Sequence, residues 1–179
     1  WAEKNGSNKE VYLASTNKRI VPLTHYGYLT ANEGSIKMIK DKQTVQDIRK
    51  NIHKMVTLQD SKGSFQVENY KVLHRMTKLF QQRSMFVKRK HVLNNLSTFL
   101  RNNNMLPAIV FVFSRRMVEQ CASEITISLL EKDSKIPNTV RNECEQIVRK
   151  LPNFKEYLEL PEYETLVGLM QKGIGIHHA

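Results

Sequence analysis

The stretch PAIVFVFSRRMVEQCA, Pro107–Ala122, is the part of the sequence that most strongly predicts the fold. Its residues Ala108–Phe113 form a continuous apolar run with the length of a buried strand. Ser114 follows as a suitable helix N-cap, and apolar residues then recur at helical spacing. They are Met117, Val118, Cys121, Ala122 and Ile125. A buried strand that leads into a helix is typical of a parallel sheet with helices packed on its faces.

The segments around this stretch continue the alternation of helix and strand. An apolar helical face runs through Val92–Leu100 before the turn RNNNMLP, and a further helix is expected to begin at Asn138 or Thr139. Pro161 and Gly173 bracket another helix, after which IGIHHA resembles the start of a strand. We therefore predict an α/β fold, a parallel sheet with helices on both faces.

The N-terminal part predicts strands first and helices afterwards. EVYLAST and the following NKRIVPLTHYGYL have the β-branched and aromatic character of two strands joined by a connector. Helical stripes are then expected over Thr44–Leu58 and through Val72–Phe80, separated by the breaker DSKGS. This order adds extra helices after the first strand of the sheet.

The composition favours a negatively charged partner. The chain of 179 residues has 28 Lys+Arg against 17 Asp+Glu, a formal charge of +11. Such an excess suits polyanions, because binding releases the counterions of phosphates. Clusters of basic residues lie at Asn17–Arg19, Lys88–Lys90 and Ser114–Arg116. No apolar run is long enough for a membrane span and the first residues do not resemble a signal peptide, so we expect a location inside the cell and no membrane partner.

Candidate functional residues follow two of the expected strands. In an open parallel sheet, ligands bind at the carboxyl ends of the strands, which places Ser114, Arg115 and Arg116 on the same edge as His177 and His178. Serine, backbone amides and guanidinium groups can all donate hydrogen bonds to a phosphate. The alternative is that Ser114 only caps its helix and the arginines only solvate the turn.

The two adjacent histidines do not predict a metal site. Neighbouring residues on an extended strand point to opposite faces, whereas a metal ion needs several converging ligands. A hydrolytic pairing of Cys121 with a histidine is an open alternative, although Cys121 and Cys144 both lie on apolar helix stripes where a reduced, inert thiol is expected. The sequence also has no GxxxxGK[ST] loop, no adjacent Asp-Glu pair and no GxSxG elbow, and we assign no catalytic residue.

Several of these motifs together resemble a known family. PAIVFVFSRRMVEQCA is similar to the motif IV region of Ski-type, exosome-associated DExH helicases of superfamily 2, and LMQKGIGIHHA resembles the start of their GIGxHHxGLLP segment. The opening WAEKNGSNKEVYLASTNKRIVPLTHYGYL is similar to the stretch in which these helicases pass from the first to the second RecA-like domain. KGSFQVENYKVL matches a weaker family feature, while Ile20 and Thr24 depart from the usual proline and glutamate.

The resemblance implies a domain organisation and a set of binding residues. Residues 1–20 would be the end of the first RecA-like domain and the connector, and residues 21–179 the N-terminal part of an incomplete second RecA-like domain. Contacts to the backbone of single-stranded RNA, with DNA as the alternative, would come from seven residues. These are Ser114, Arg115, Arg116, His177, His178, Lys18 and Arg19.

The resemblance also implies the cofactors and partners of an intact enzyme. ATP and Mg would bind between two RecA-like domains, with this chain forming one wall of the cleft and binding neither by itself. Partners would be the first RecA-like domain, the remaining helicase domains and proteins of an RNA-processing complex, in the cytoplasm, the nucleus or a viral factory. The alternative from a different class is a non-catalytic basic RNA-binding or scaffold module derived from a helicase lobe.

We expect the purified 179-residue chain to hydrolyse no ATP. The groups that hold the γ-phosphate and magnesium in such helicases have no counterpart among its motifs. Phosphate release measured with and without single-stranded RNA should equal the protein-free background. Turnover that is lost on a point substitution in this chain would contradict the prediction.

Overall fold

The computed structural model of the chain describes Tyr12, residues 20–130 and residues 135–178. Within these ranges the fold is mixed α/β, with helices in the majority. In chain order the elements are β1 (His25–Tyr28), α1 (Glu33–Lys37), α2 (Lys42–Asn51), β2 (Met55–Gln59), α3 (Val67–Gln82), α4 (Arg89–Asn102), α5 (Arg115–Glu124), α6 (Ile136–Val148), α7 (Phe154–Leu158) and α8 (Pro161–Met170). None of these helices has both the length and the apolarity that crossing a bilayer requires.

The two strands form a small antiparallel sheet that packs against α3. Tyr28 of β1 lies opposite Met55 of β2, and α1 and α2 lie between the strands in the chain. A Cβ at Gly27 would lie 2.4 Å from Leu73 Cδ1 of α3, so the Leu73 side chain occupies the space that the glycine leaves open. The Asn69 side chain donates to the Thr57 carbonyl at 2.8 Å and further ties α3 to β2.

The first core lies between α1, α2 and α3. Asp41 begins α2 by accepting hydrogen bonds from the backbone N–H groups of Gln43 and Thr44, and the additional bond from the Thr44 hydroxyl lowers the pKa of Asp41. Ile48 on the inner face of α2 is fully buried. The members of this core are Ala31, Ile36, Ile48, Ile52, Met76, Phe80 and Met85.

A second core joins α5, α8 and the segments that follow them. Its buried members are Ala122, Ile125, Leu169 and Ile174. Leu93 of α4 also packs against it, together with Ile127, Leu129 and Ile176. This second core contains no residue of the two-stranded sheet, which α4 contacts separately through the Phe99 and Tyr28 rings at 5.5 Å.

The predicted buried strand Ala108–Phe113 is not a strand in this structure. The segment has no ladder partner in the described part of the chain, and Ile109 and Phe111 are 81% and 83% exposed. A buried strand requires neighbouring strands on its edges and covering helices on its faces, and residues 20–130 and 135–178 supply neither. The parallel sheet expected from the sequence is accordingly absent from these residues, as is a strand after Gly173.

Two further boundaries differ from expectation. The helix predicted over Thr44–Leu58 ends at Asn51, because His53 has a positive φ of 56° and the chain then enters β2. Met55 and Val56 fit a helical stripe and a strand equally well, so periodicity alone misassigned them. The α6 helix begins at Ile136, earlier than the expected caps, with Pro137 in its first turn.

Other expectations are confirmed. The α3 and α4 helices cover the stripes predicted for them, and Pro161 begins α8. The α5 helix covers its predicted stripe except for Ile125, which is its C-cap. Gly173 has a positive φ of 83° after the end of α8, as a C-terminal cap requires. The predicted first strand EVYLAST lies almost entirely outside the described residues, and the boundary at residue 20 stays a prediction.

His53 occupies the junction between α2 and β2. Its backbone N–H donates to the Leu29 carbonyl at 2.8 Å, and its ring Nδ1 lies 3.3 Å from the Thr30 hydroxyl oxygen. Partial burial, followed by repulsion from His91, lowers the pKa of His53, while Glu33 acts in the opposite direction. The folded chain therefore favours the neutral ring more than the unfolded chain does.

We expect the stability of the chain to fall as the pH drops through about 6.5, the ordinary histidine value, towards the lower pKa of the folded state. The unfolded chain takes up the proton first, so acidification favours unfolding. The His53→Asn substitution removes the titrating imidazole and places at this position another residue that tolerates a positive φ. Urea unfolding between about pH 5 and 8 should give a free energy of unfolding that depends less on pH in this variant than in the wild type. Equal pH dependence in both proteins would contradict the assignment.

Candidate nucleic-acid interface

The start of α5 presents donors to solvent. Ser114 is extended, with φ −149° and ψ 130°, and occupies the N-cap position, but its hydroxyl does not cap the helix. Its carbonyl accepts the first helical hydrogen bond, from Val118 N–H at 2.9 Å. Arg115 and Arg116 are both exposed and form no ion pair with a carboxylate in the described part of the chain. The hydroxyl, the first helical amides and both guanidinium groups are available to a phosphate.

An ion pair with two hydrogen bonds fixes α5 against α4. Arg89 donates through Nε to Glu124 Oε2 at 2.8 Å and through Nη2 to Oε1 at 2.7 Å. These hydrogen bonds lower the pKa of Glu124. The forked geometry aligns both side chains, so α5 has a defined position along α4.

Polar side chains of α4 also hold the segment that follows α5. The Asn94 amide donates to the Glu124 carbonyl at 2.7 Å, while its oxygen accepts from the Thr126 backbone N–H at 2.9 Å. Arg101 donates to the Ser128 carbonyl at 2.6 Å. These bonds satisfy backbone groups that an irregular segment would otherwise leave unpaired.

The end of α8 reverses the chain through a Schellman turn at Gly173. Ile174 N–H donates to the Leu169 carbonyl at 3.0 Å and Gly173 N–H to the Met170 carbonyl at 2.9 Å, the pair of bonds that defines this motif. Leu169 and Ile174 also share the second core, which adds the apolar contact typical of the motif. The Lys172 carbonyl accepts from Leu129 N–H at 2.8 Å, which links this turn to the segment after α5.

Residues 174–178 leave this turn alongside α5. Ile174 is buried and Ile176 packs against the second core, whereas Gly175 and His177 are exposed. His178 Nε2 lies 3.1 Å from Glu119 Oε1, a carboxylate on α5. Alternate residues therefore face the core or the helix, and the two histidines are used differently.

The structure brings the two predicted loops to one helix. Glu119 lies four residues after Arg115 on α5, and residues at this spacing share a helix face. The His178 ring is thus held near the face that carries Arg115, one turn from the helix start. Lys18 and Arg19 lie outside the described residues, so their role in binding remains a prediction.

The bond between His178 and Glu119 restricts what the imidazole can do. If the neutral ring donates Nε2–H to Glu119, only Nδ1 remains, and it is a hydrogen-bond acceptor. Such a ring can accept from a ribose 2′-hydroxyl, whereas a doubly protonated ring has no acceptor and can only donate Nδ1–H, for example to a phosphate. Arg115 and Arg116 are permanent donors and suit phosphates at any physiological pH.

Sequence reasoning did not identify Glu119, Arg89 or Glu124. Glu119 was detectable only as an acidic residue four positions after Arg115, a common spacing on solvated helices. Arg89 and Glu124 are 35 residues apart in the chain, so no local sequence pattern relates them.

The alternative of a metal site has no support in the described ranges. They contain no group of three or more His, Cys, Asp or Glu that could hold an ion. Cys121 is a buried free thiol.

Comparison with known proteins supports a helicase-related region. The chain is similar to the DExH-box ATP-dependent RNA helicase DExH11 of Arabidopsis thaliana, with 31% identity over 80 residues. These residues make up 45% of this chain and 6% of that protein, so the chain spans only a small part of the relative. No protein-family model matches the chain, and no solved structure matches it significantly.

Replacing Gly173 by alanine should weaken the turn on which residues 174–178 depend. Alanine is strained at a φ of 83°, and its Cβ would lie 3.2 Å from Leu130 Cδ2. We expect Gly173→Ala to lower the free energy of unfolding by about 1–2 kcal/mol in urea titrations. Gly175→Ala is the matched control, because nothing lies within 4 Å of its Cβ position. Equal losses in the two variants would contradict a special role for Gly173.

Proposed function

We propose that this chain is part of an ATP-dependent RNA helicase of the Ski-type DExH group and contributes contacts to the backbone of single-stranded RNA. The observation that carries the proposal is the contact between His178 and Glu119, a residue of the helix that begins at Arg115. The similarity to a DExH-box RNA helicase supports it independently. The formal charge of +11 agrees with a polyanionic partner.

In this proposal, the chain belongs to a second RecA-like domain whose parallel sheet includes residues outside the described ranges. Ala108–Phe113 would be one of its strands. The exposure of Ile109 and Phe111 supports this, because apolar side chains of this kind are normally covered in a finished sheet. Strands and helices from the rest of the helicase would supply that cover.

Each proposed contact has a chemical role. Ser114 and the first amides of α5 would donate to one phosphate, and Arg115 and Arg116 would add charge and forked hydrogen bonds. His178 would accept from a 2′-hydroxyl while Glu119 holds its ring, an arrangement that favours RNA over DNA. Exposed His177 would contact the adjacent sugar-phosphate unit. Contacts of this kind follow the backbone and do not read sequence.

The remaining parts of the proposed enzyme lie outside this chain. ATP and magnesium would bind between this region and a first RecA-like domain, whose closure moves RNA through the groove. Other helicase domains and proteins of an RNA-processing complex would be the further partners, in the cytoplasm or nucleus. Lys18 and Arg19 would add contacts from the connector.

We expect weak, salt-dependent binding of single-stranded RNA by the chain. Log affinity should fall with log salt by roughly 0.7 for each neutralised phosphate. Arg115→Gln should weaken binding several-fold and reduce this slope by about 0.7, because one phosphate contact is lost. Fluorescence anisotropy with a labelled oligouridylate of about 12 nucleotides over a range of salt concentrations measures both quantities.

Lys150→Gln provides the matched control for this experiment. It removes the same charge from an exposed position two residues after the end of α6, in a segment that carries none of the proposed contacts. The control should change affinity and slope much less than Arg115→Gln does. If the two substitutions have equal effects, binding depends on overall charge. The proposal of an α5 interface, formed by Ser114, Arg115, Arg116, His177 and His178, is then wrong.

A further inference from the structure

A row of exposed aromatic rings lies at the start of α3. The Phe65 and Tyr70 ring centroids are 5.7 Å apart at an interplanar angle of 50°, and Tyr70 stacks on His74 at 5.7 Å and 11°. Phe65 and Tyr70 are 52% and 47% exposed. Rings that pair with each other while remaining open to water contribute little to a core. Phe65 at one end of the row and His74 at the other are both exposed, so ring surface remains for another planar group.

Cations flank this row on the same helix. Lys71, Arg75 and Lys78 are exposed on α3 at spacings of three and four residues, so they share one face. Lys71 pairs with Glu68 at 2.7 Å and Arg75 with Asp47 at 2.9 Å. The Lys71–Glu68 pair is exposed and contributes little stability, so exchanging its carboxylate for a phosphate costs little. Arg75 uses Nη2 for the partly buried Asp47, which leaves its other guanidinium N–H groups for a phosphate.

An open cleft of about 510 Å³ adjoins the rings, between α2 and α3. Its walls include Thr44 and Asp47 from α2 and Tyr70, His74 and Arg75 from α3. The volume lies in the range of ligand-sized clefts. Aromatic rings and the positively charged Arg75 side chain therefore line the same cleft.

We propose that this surface, the α3 platform formed by Phe65, Tyr70, Lys71, His74, Arg75 and Lys78, is a second binding site for single-stranded RNA. Bases would extend the ring row at its ends, on Phe65 and on His74. Phosphates would contact Lys71, Arg75 and Lys78. Aromatic stacking beside a basic groove is how proteins bind single strands without reading sequence. An acidic peptide would use the cations but not the exposed ring faces, so the rings favour RNA.

The α3 platform shares no residue with the α5 interface, so the two can be tested separately in the full chain. The probes are an oligouridylate of about 12 nucleotides, an abasic oligomer of equal length and polyglutamate. His74→Ala should weaken oligouridylate binding about fivefold or more, whereas His74→Phe, which keeps a ring, should bind nearly as the wild type does. Phe65→Ala is a second variant that removes the other end of the row, and circular dichroism checks the folding of each.

The abasic oligomer separates stacking from charge. His74→Ala should leave its affinity unchanged, whereas Lys78→Gln should weaken binding of both nucleic acids. The platform is wrong if neither His74→Ala nor Phe65→Ala changes oligouridylate affinity, or if the wild-type chain binds no oligouridylate. Equal weakening by His74→Ala of all three probes would also overturn it.

Comparison with Arg115→Gln distinguishes the two sites. If Arg115→Gln weakens oligouridylate binding and the ring variants do not, the α5 interface stands and the platform fails. If the ring variants weaken binding and Arg115→Gln has no effect, the platform stands and the α5 proposal fails. Losses from both kinds of variant support both sites.

Discussion

The left-handed turn at Gly173 is the constraint on which the α5 interface depends. It closes α8 with two backbone hydrogen bonds and sends residues 174–178 back towards α5. Ile174 and Ile176 then pack on the second core, which places His178 beside Glu119. A continued helix would instead carry both histidines past this core. The geometry of this candidate site thus follows from one residue that tolerates a positive φ at low cost.

Polar contacts between α4 and α5 complete this arrangement. Arg89 binds Glu124 with two hydrogen bonds, and Asn94 holds the backbone immediately after it. The loop after α5 then accepts the turn at the end of α8 through Leu129. One connected set of contacts therefore fixes the position of α5, the path of the loop after α5 and the approach of His178 to Glu119. The exposed Ala108–Phe113 segment leads directly into α5.

Much of the helical structure was predictable, because α3, α4, α5 and α8 each have a stripe long enough to indicate one conformation. The β2 strand was not, since Met55 and Val56 fit either period and the positive φ of His53 separates helix from strand. For the candidate site, Ser114, Arg115 and the two histidines were proposed from the sequence, and their role in binding stays a prediction. Glu119 was not, because its role depends on a contact between residues 59 positions apart.

By itself, the sequence determined the positions of most helices, the glycine turn, the basic character of the chain and the motifs that resemble a helicase. These are local or additive properties, encoded by periodicity, backbone preference and charge. Only the tertiary structure decided that Ala108–Phe113 is uncovered, that His178 pairs with Glu119 and that Phe65, Tyr70 and His74 form one row. Each of these features depends on contacts between segments that are far apart in the sequence. Only those contacts determine which side chains are buried and which hydrogen bonds form.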